Sequence, residues 1–224
     1  MTELLAAGVR GLDLRVGMHE GEVHVCHTVV CELTLSAALG EVVAFLAGGE
    51  AEGEVVVIYI KCDWEARAEW RGAANWEQVQ AIVMSVLGDM VCAEEELALP
   101  LGTLLERGRR AVLLMEVPPA VEMWSGVRSS RANLRSNWSD SLKTAADIVE
   151  AAEAWQASGQ LRPEKSCLKM LECAVPGSPV GSAPAVLAGF RSFLGGLEQP
   201  LSIAVNMDCP DEATVRLIVQ QNWW

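Results

Sequence analysis

The chain has 224 residues, of which 51% are hydrophobic and 21% charged, a composition that can bury a sizeable core and argues against disorder. Thirty acidic against 17 basic residues give a formal net charge of −13. This charge argues against nucleic acid as a partner, because phosphate contacts need clustered Lys and Arg. It also argues against binding to an anionic membrane by charge alone, so contacts with a lipid would have to be made by apolar side chains.

The sequence contains seven cysteines and no C-x-x-C pair. Because their number is odd and most lie in apolar runs, we interpret them as buried, reduced cysteines rather than disulfides or a zinc site. Such cysteines are typical of a reducing compartment, which favours a cytoplasmic location. The apolar runs are shorter than about ten residues, too short to span a bilayer, and no signal-peptide pattern is visible.

Short apolar segments alternate with amphipathic helices along the chain. The segments are rich in Val, Ile and Leu and are flanked by Gly, Pro or charged residues, as buried parallel strands are. The predicted strands are Gly8–Val16, Glu22–His27, Glu54–Lys61, Arg110–Val117, Cys167–Ala174 and Leu201–Asp208, with a weaker pattern at Ala132–Trp138.

Helices with a 3.6-residue period lie between these strands. The predicted helical faces run over Leu35–Leu46, Trp76–Met90, Ile148–Trp155, Val186–Leu197 and Val215–Val219. Asn75 and Gln78 stand in capping-box spacing before the second face, and Pro184 is predicted to start the fourth. Strand–helix alternation predicts a parallel sheet with helical crossovers. No Gly-rich phosphate loop follows a strand, which disfavours a nucleotide-binding open sheet.

A (β/α)8 barrel has eight parallel strands and typically about 250 residues. The sequence shows seven strand patterns and begins inside the helix that should precede Gly8. We therefore expect an α/β, TIM-type barrel that lacks its first strand. The expected domain organisation is a single barrel over residues 1–224, incomplete at its N-terminus.

Polar residues stand at the ends of several predicted strands, which is where such barrels carry their functional groups. Asp13 and Arg15 share one strand face, His27 and Lys61 end the next two strands, and Asp208 ends the last. Arg binds phosphate through a two-pronged fork, and His transfers protons near neutral pH. The alternatives are a structural Asp13–Arg15 ion pair, a His27 satisfied inside the barrel, and charges that are simply solvated.

Two parts of the chain resemble the X-domain of phosphatidylinositol-specific phospholipase C. Gly8–Arg15 reads G-x-R-x-x-D-x-R and is followed by a strand ending in His27, a V-x-x-F-L helix and a strand ending in Lys61. At the other end, residues 201–222 are similar to the closing strand and helix of that family. Order, spacing and strand-end placement agree together, which makes the resemblance more specific than any one piece of it.

The resemblance implies a barrel of the phospholipase C-like phosphodiesterase type, acting by general acid–base catalysis. Arg15 would stabilise the phosphoryl charge, and His27 would protonate the departing diacylglycerol oxygen. Asp13 and Lys61 would line the headgroup pocket. Asp208 would orient a second His, the general base, on a strand upstream of this sequence. Since calcium-dependent relatives place an acidic ligand where Arg15 stands, the resemblance implies catalysis without metal or other cofactor, giving a cyclic inositol phosphate.

The sequence departs from the family pattern at three places. No His precedes His19, Thr28 follows the candidate acid where Gly is common, and Glu116 stands where metal-free bacterial members carry a basic residue. One alternative is therefore a catalytically inactive barrel that binds lipid headgroups or a protein partner. A second is a glycerophosphodiester phosphodiesterase-like metal enzyme, which Arg15 at a metal-ligand position makes the least favoured.

The expected partner is a phosphoinositide-type lipid or another phosphodiester headgroup. Trp64 and Trp70 follow the strand that ends in Lys61, on the face where the site is expected. Their amphipathic rings could contact a membrane interface, or they could cover the barrel and the following helix.

Overall fold

The computed structural model describes residues 1–27, 29–62, 73–116, 127–129, 134–137, 139, 141–162, 168–173, 179–197, 203–207 and 211–221. The chain divides into two compact units. The first comprises Met1–Ala6 and Arg10–Ala132, and the second comprises Ala7–Val9 and Asn133–Trp224. The expectation of a single domain over residues 1–224 stays a prediction.

Strands and helices alternate through most of the described residues. The strands are β1 (Gly11–His19), β2 (Glu22–His27), β3 (Val29–Thr34), β4 (Val56–Cys62), β5 (Ala111–Met115), β6 (Val127–Ser129), β7 (Leu134–Ser136), β8 (Leu168–Cys173) and β9 (Ala204–Met207). The α-helices are α1 (Thr2–Ala6), α2 (Leu35–Ala47), α3 (Ala73–Leu87), α4 (Leu101–Glu106), α5 (Ala145–Ala157), α6 (Pro179–Gly195) and α7 (Glu212–Gln221). Short 3-10 helices cover Gly49–Ala51, Gly88–Met90 and Glu94–Ala98.

The first unit is built on a six-stranded sheet in the order β3-β2-β1-β4-β5-β6. β1, β4, β5 and β6 are parallel neighbours, as the alternation of strands and helices predicted. Among the described residues the second sheet has three parallel strands, in the order β7-β8-β9. An α/β fold is thus confirmed, whereas a complete (β/α)8 barrel is not established by these two sheets.

The prediction that Glu22–His27 is a further parallel strand is wrong. β2 is antiparallel to β1, with Val16 opposite Val25 and His19 opposite Glu22, and β3 extends the antiparallel edge. The cause is a two-residue turn at Glu20 and Gly21, whose φ angles of 50° and 86° are both positive. Positive φ at both central residues defines the tight hairpin turn that matches the twist of two strands.

Two predicted helix starts also need correction. α3 begins at Ala73, so Asn75 lies inside the helix rather than at its cap. α6 begins at Pro179, and Pro184 lies within it. The caps of two other helices are clear: Thr34 accepts a hydrogen bond from the Ala37 amide, and Thr144 forms a reciprocal capping box with Asp147.

Side chains on β1 and β4 alternate between a buried apolar face and a polar face. Leu12, Leu14 and Val16 of β1, and Val56, Ile58 and Ile60 of β4, are all buried. The intervening residues are only half-buried. Burial of a whole apolar row on one side is what fixes the register of these strands, since a one-residue slip would turn the row over.

The second unit has its own apolar core. It is formed by residues of α5, α6 and β8 with nearby loop residues: Leu142, Ile148, Ala152, Leu161, Leu171, Cys173, Val186, Phe190, Phe193, Leu194 and Ile203. The rings of Phe190 and Phe193 stack at 5.6 Å between centroids. An ion pair between Arg191 of α6 and Asp211, 2.6 Å apart, ties α6 to the start of α7.

The described cysteines agree only in part with the expectation of burial. Cys26, Cys62, Cys92 and Cys173 are buried, whereas Cys31 on the edge strand β3 is exposed. Of the helices that the structure describes, none is both long enough and apolar enough to cross a membrane.

Candidate functional site

Parallel pairing of β1 with β4 brings the predicted polar residues together. Asp13 lies beside Tyr59, and Arg15 lies beside Lys61. Because neighbouring residues in register project to the same side of a sheet, these four side chains share one face. We call this set, together with Glu116, the polar face. It lies near the carboxyl ends of β4 and β5, the edge at which α/β folds place their functional groups.

Glu116 joins the polar face from the end of β5. Its amide donates to the carbonyl of Ile60 at 2.9 Å, which continues the β4–β5 pairing one residue past Met115. Glu116 therefore stands next to Lys61 in register. Its carboxylate accepts a hydrogen bond from the Tyr59 hydroxyl at 3.1 Å. Tyr59 is a site residue that the sequence analysis missed, although it lies two residues before Lys61 and so on the same strand face.

Asp13 and Lys61 form a short ion pair on the polar face. The Lys61 ammonium donates to Asp13 Oδ2 at 2.7 Å, and the side chains are 16% and 20% exposed, respectively. The second carboxylate oxygen, Asp13 Oδ1, is buried and has no hydrogen-bond partner in the described structure. The ammonium also lies 4.8 Å from the centroid of the Tyr59 ring. An unsatisfied buried acceptor beside a fixed cation is an arrangement that a ligand hydroxyl would complete.

Arg15 differs from Lys61 in its surroundings. Its side chain is half-buried beside the Asp13–Lys61 pair, one step along the same face of β1. Within the described part of the chain, the carboxylate of Asp13 is paired with Lys61 and not with Arg15. The alternative of a structural Asp13–Arg15 ion pair therefore does not hold in this structure.

His27 lies at the end of β2, on the antiparallel edge of the same sheet. The β1–β2 register pairs Val16 with Val25, so continuing it by two residues places the backbone of His27 level with Leu14. Because residues in register project to the same side of a sheet, this register puts His27 on the side of Leu14 and not on that of Asp13 and Arg15. The His27 side chain is exposed. The pairing of β2 with β3 shifts register between His24 and Cys26, just before His27.

The two other histidines occupy the same hairpin and have different environments. His24 is buried, and its Nδ1 lies 2.9 Å from the carbonyl oxygen of Cys31. Its ring meets that of His19 edge-on at 5.5 Å, and His19 is exposed. Through these contacts, His24 stabilises the hairpin.

The remaining predicted site residues are not covered by the structure. Asp208, Trp64 and Trp70 lie outside the described residues. In the ranges that are described, no cluster of three or more His, Cys, Asp or Glu side chains is arranged to hold a metal ion.

Comparison with solved structures identifies the fold as that of the bacterial phosphatidylinositol-specific phospholipases C, confirming at the level of fold the resemblance seen in the sequence. The enzyme from Listeria monocytogenes superposes with a TM-score of 0.71 at 16% identity, over 100% of this chain and 82% of its own. Two structures of the Staphylococcus aureus enzyme give TM-scores of 0.72 and 0.69, at 16% and 15% identity, over 100% of this chain and 83% of theirs. No protein-family model and no curated protein matches the sequence.

Proposed function

We propose that this protein is a phospholipase C-like phosphodiesterase that cleaves a phosphatidylinositol-type lipid by general acid–base catalysis without a metal ion. The observation that carries the proposal is the polar face, where Arg15 and the Asp13–Lys61 pair meet near the carboxyl ends of parallel strands. The fold adds support, because the solved structures similar to it over the whole chain are phosphatidylinositol-specific phospholipases C.

In the proposed reaction the substrate supplies its own nucleophile. The inositol 2-hydroxyl loses its proton to a general base and attacks phosphorus, and the bond from phosphorus to the diacylglycerol oxygen breaks. Arg15 binds the phosphoryl oxygens, whose charge is spread in the transition state. His27 gives its proton to the departing oxygen. The products are a cyclic inositol phosphate and diacylglycerol.

The other predicted residues have supporting roles in this proposal. Lys61 and Asp13 bind hydroxyls of the headgroup, the ammonium as donor and Asp13 Oδ1 as acceptor. Asp208 orients the general base, which the family resemblance implies is a second His. Trp64 and Trp70 are proposed to contact the membrane interface near the site.

The test is turnover of phosphatidylinositol in detergent micelles, with the cyclic product identified by phosphorus NMR. We expect His27→Ala to lower turnover by about 10²- to 10⁴-fold, the usual contribution of a general acid. Arg15→Lys should lower turnover by about 10²- to 10³-fold, because Lys cannot make the bidentate contact with the phosphate. His19→Ala, an exposed histidine of the same hairpin, is the matched control and should retain activity.

Other outcomes favour the alternative functions. Headgroup binding without turnover would favour an inactive, headgroup-binding barrel. Turnover that is lost with chelator and restored by a divalent cation would favour a metal-dependent glycerophosphodiesterase. Wild-type turnover that His27→Ala and Arg15→Lys leave unchanged would contradict the assignment of the site.

A further inference from the structure

We propose that His19 and His24, on one face of the β1–β2 hairpin, form a binding site for a divalent transition metal ion such as Zn²⁺. The site is separate from the proposed reaction, in which neither imidazole takes part. Three features of the hairpin support it: the register of the two strands, the hydrogen bond that His24 makes, and the distance between the two rings.

The register of the hairpin puts both histidines on the same face. His24 of β2 lies opposite Gly17 of β1, and His19 lies two residues beyond Gly17. Because side chains of a strand alternate between its two faces, His19 and His24 are diagonal neighbours on one face. The residue opposite His24 has no side chain, so the space between the two strands at this point is left to the imidazoles.

The hydrogen bond of His24 determines which of its ring nitrogens can bind a metal. Nδ1 lies 2.9 Å from the carbonyl oxygen of Cys31. A carbonyl oxygen only accepts, so Nδ1 carries the proton, and in the neutral ring Nε2 keeps its lone pair. In the part of the chain that the structure describes, the ring makes no other hydrogen bond. Metal-binding histidines are typically held in this way, with the second ring nitrogen donating to a carbonyl or a carboxylate.

The spacing of the two rings suits two ligands of one metal ion. Their centroids are 5.5 Å apart. Zn–N bonds are about 2.0–2.1 Å long, so two imidazoles on one tetrahedral ion have centroids about 5 Å apart. His24 is buried, which holds its ring in place, whereas the His19 side chain is 54% exposed and can turn a ring nitrogen toward the ion.

The charges around the two imidazoles favour a cation. Glu22 lies opposite His19 and therefore on the same face, and an oxygen of Glu20 lies 3.9 Å from His19 Nε2. Both of these carboxylates are exposed. No third side chain is in place to bind the ion among the described residues, so water completes its coordination. Because the two imidazoles come from different strands, a bound ion links β1 to β2.

The experiment titrates the full chain with Zn²⁺, by calorimetry for affinity and by thermal melting for stability. We expect the melting temperature to rise by about 5–10 °C at a Zn²⁺ concentration a hundredfold above Kd. His19→Ala should weaken the binding by about tenfold or more, since loss of even a group that only orients a ligand costs that much. His27→Ala and Cys31→Ser are the matched controls, because they remove the third histidine and the exposed thiol of the same edge and should bind Zn²⁺ as the wild type does.

A second measurement needs no substitution, which matters because His24 is buried and its removal can disturb the hairpin. The chain has three histidines, so the ring nitrogens can be followed individually by ¹⁵N NMR. Zn²⁺ should shift Nε2 of His24 and one nitrogen of His19, and leave His27 unshifted. The proposal is overturned if Zn²⁺ does not bind, or if His19→Ala binds it as tightly as the wild type. Binding that Cys31→Ser or His27→Ala abolishes while His19→Ala retains it would also overturn the proposal.

Discussion

Glu96 and Asp13, two of the carboxylates of the first unit that are paired with cations, are satisfied to different degrees. Glu96 accepts from the Ala93 amide at 3.0 Å and from Arg109 at 2.7 Å through one oxygen, and from Arg107 at 3.4 Å through the other. Asp13 accepts from Lys61 through one oxygen, while the other is buried without a partner in the described structure. We call Glu96 the closed site, because both of its carboxylate oxygens accept hydrogen bonds. We call Asp13 the open site, because one of its oxygens has no partner in the described structure.

Polar groups that stabilise the fold are hydrogen-bonded within the protein, whereas polar groups of a binding site keep hydrogen-bonding capacity for a ligand. Glu96 links the 3-10 helix Glu94–Ala98 to Arg109, which lies just before β5. The Glu96 side chain is only 9% exposed. A fully satisfied network of this kind rigidifies the structure. A buried acceptor left unsatisfied costs stability and is retained where something else completes it. The two sites should therefore respond in opposite ways to loss of their charge.

Of these two sites, the larger effect is expected for Asp13→Asn, and it should fall on activity. The substitution keeps the size of the side chain but removes the charge that holds Lys61, so the ammonium is no longer aimed at the headgroup. We expect turnover of phosphatidylinositol to fall by about 10- to 100-fold. The melting temperature should change little, because loss of the ion pair is offset by removal of the buried carboxylate oxygen that has no partner. A large loss of melting temperature with unchanged turnover would make Asp13 structural.

The converse is expected for Glu96→Gln. An amide can replace only some of the three hydrogen bonds that the carboxylate accepts, and it leaves Arg109 with a weakened partner. We expect a lower melting temperature with unchanged turnover. Glu95→Gln is the matched control, because Glu95 lies next to Glu96 and is exposed. Equal melting temperatures for the two variants would remove the contrast between the closed and the open site.

The sequence predicted the members of the polar face better than their arrangement. Asp13 and Arg15 lie two residues apart on an apolar-patterned strand, and Tyr59 and Lys61 repeat this spacing. Side chains of a strand alternate between its two faces, so residues two apart can be assigned to the same face from the sequence alone. Which residue of β1 stands beside which residue of β4 is a non-local property, fixed by burial of the whole apolar row. The Asp13–Lys61 pair could not be derived without it.

The antiparallel edge was mispredicted for a different reason. A two-residue hairpin turn is recognised in sequence by Asn-Gly or Asp-Gly, and here the turn is Glu20-Gly21. Glu is a poor signal for a positive φ, so β1 and β2 read as separate strands of a parallel sheet. β6, at Val127–Ser129, has only three residues and shows no period at all. The first unit thus gains a hairpin and a short parallel strand that no local pattern indicated.

The stability that Glu96 contributes to the fold should also depend on pH. The hydrogen bond from the Ala93 amide, followed by the contacts with Arg109 and Arg107, holds the pKa of Glu96 below its ordinary value. A carboxyl whose pKa is lower in the folded state contributes stability above its unfolded pKa of about 4.3, and the contribution is lost as pH falls through the folded value. The difference in melting temperature between wild type and Glu96→Gln should therefore shrink on acidification below about pH 4.3.

Other carboxyls with lowered pKa values, among them Asp147 and Asp211, form the background of that measurement. Backbone hydrogen bonds from Lys143 and Thr144 lower the pKa of Asp147, and hydrogen bonds from Thr214 lower that of Asp211. Both remain in wild type and variant, so the difference between the two curves isolates Glu96. A difference that stays constant down to pH 2 would show that the carboxylate charge of Glu96 does not stabilise the fold.

The smallest effect is expected at Tyr59, where two contacts of the open site can be removed in turn. Tyr59→Phe removes the hydroxyl that donates to Glu116 but keeps the ring beside Lys61, and should cost about 0.5–1.5 kcal/mol of stability. Tyr59→Leu removes both contacts and should cost about 0.5–1 kcal/mol more. Only the second variant should raise KM appreciably, because only it removes the ring that packs against the Lys61 ammonium, which is then held by Asp13 alone. If Tyr59→Phe alone raises KM as much as Tyr59→Leu, the hydroxyl contacts the headgroup directly, and the ring is not what positions Lys61.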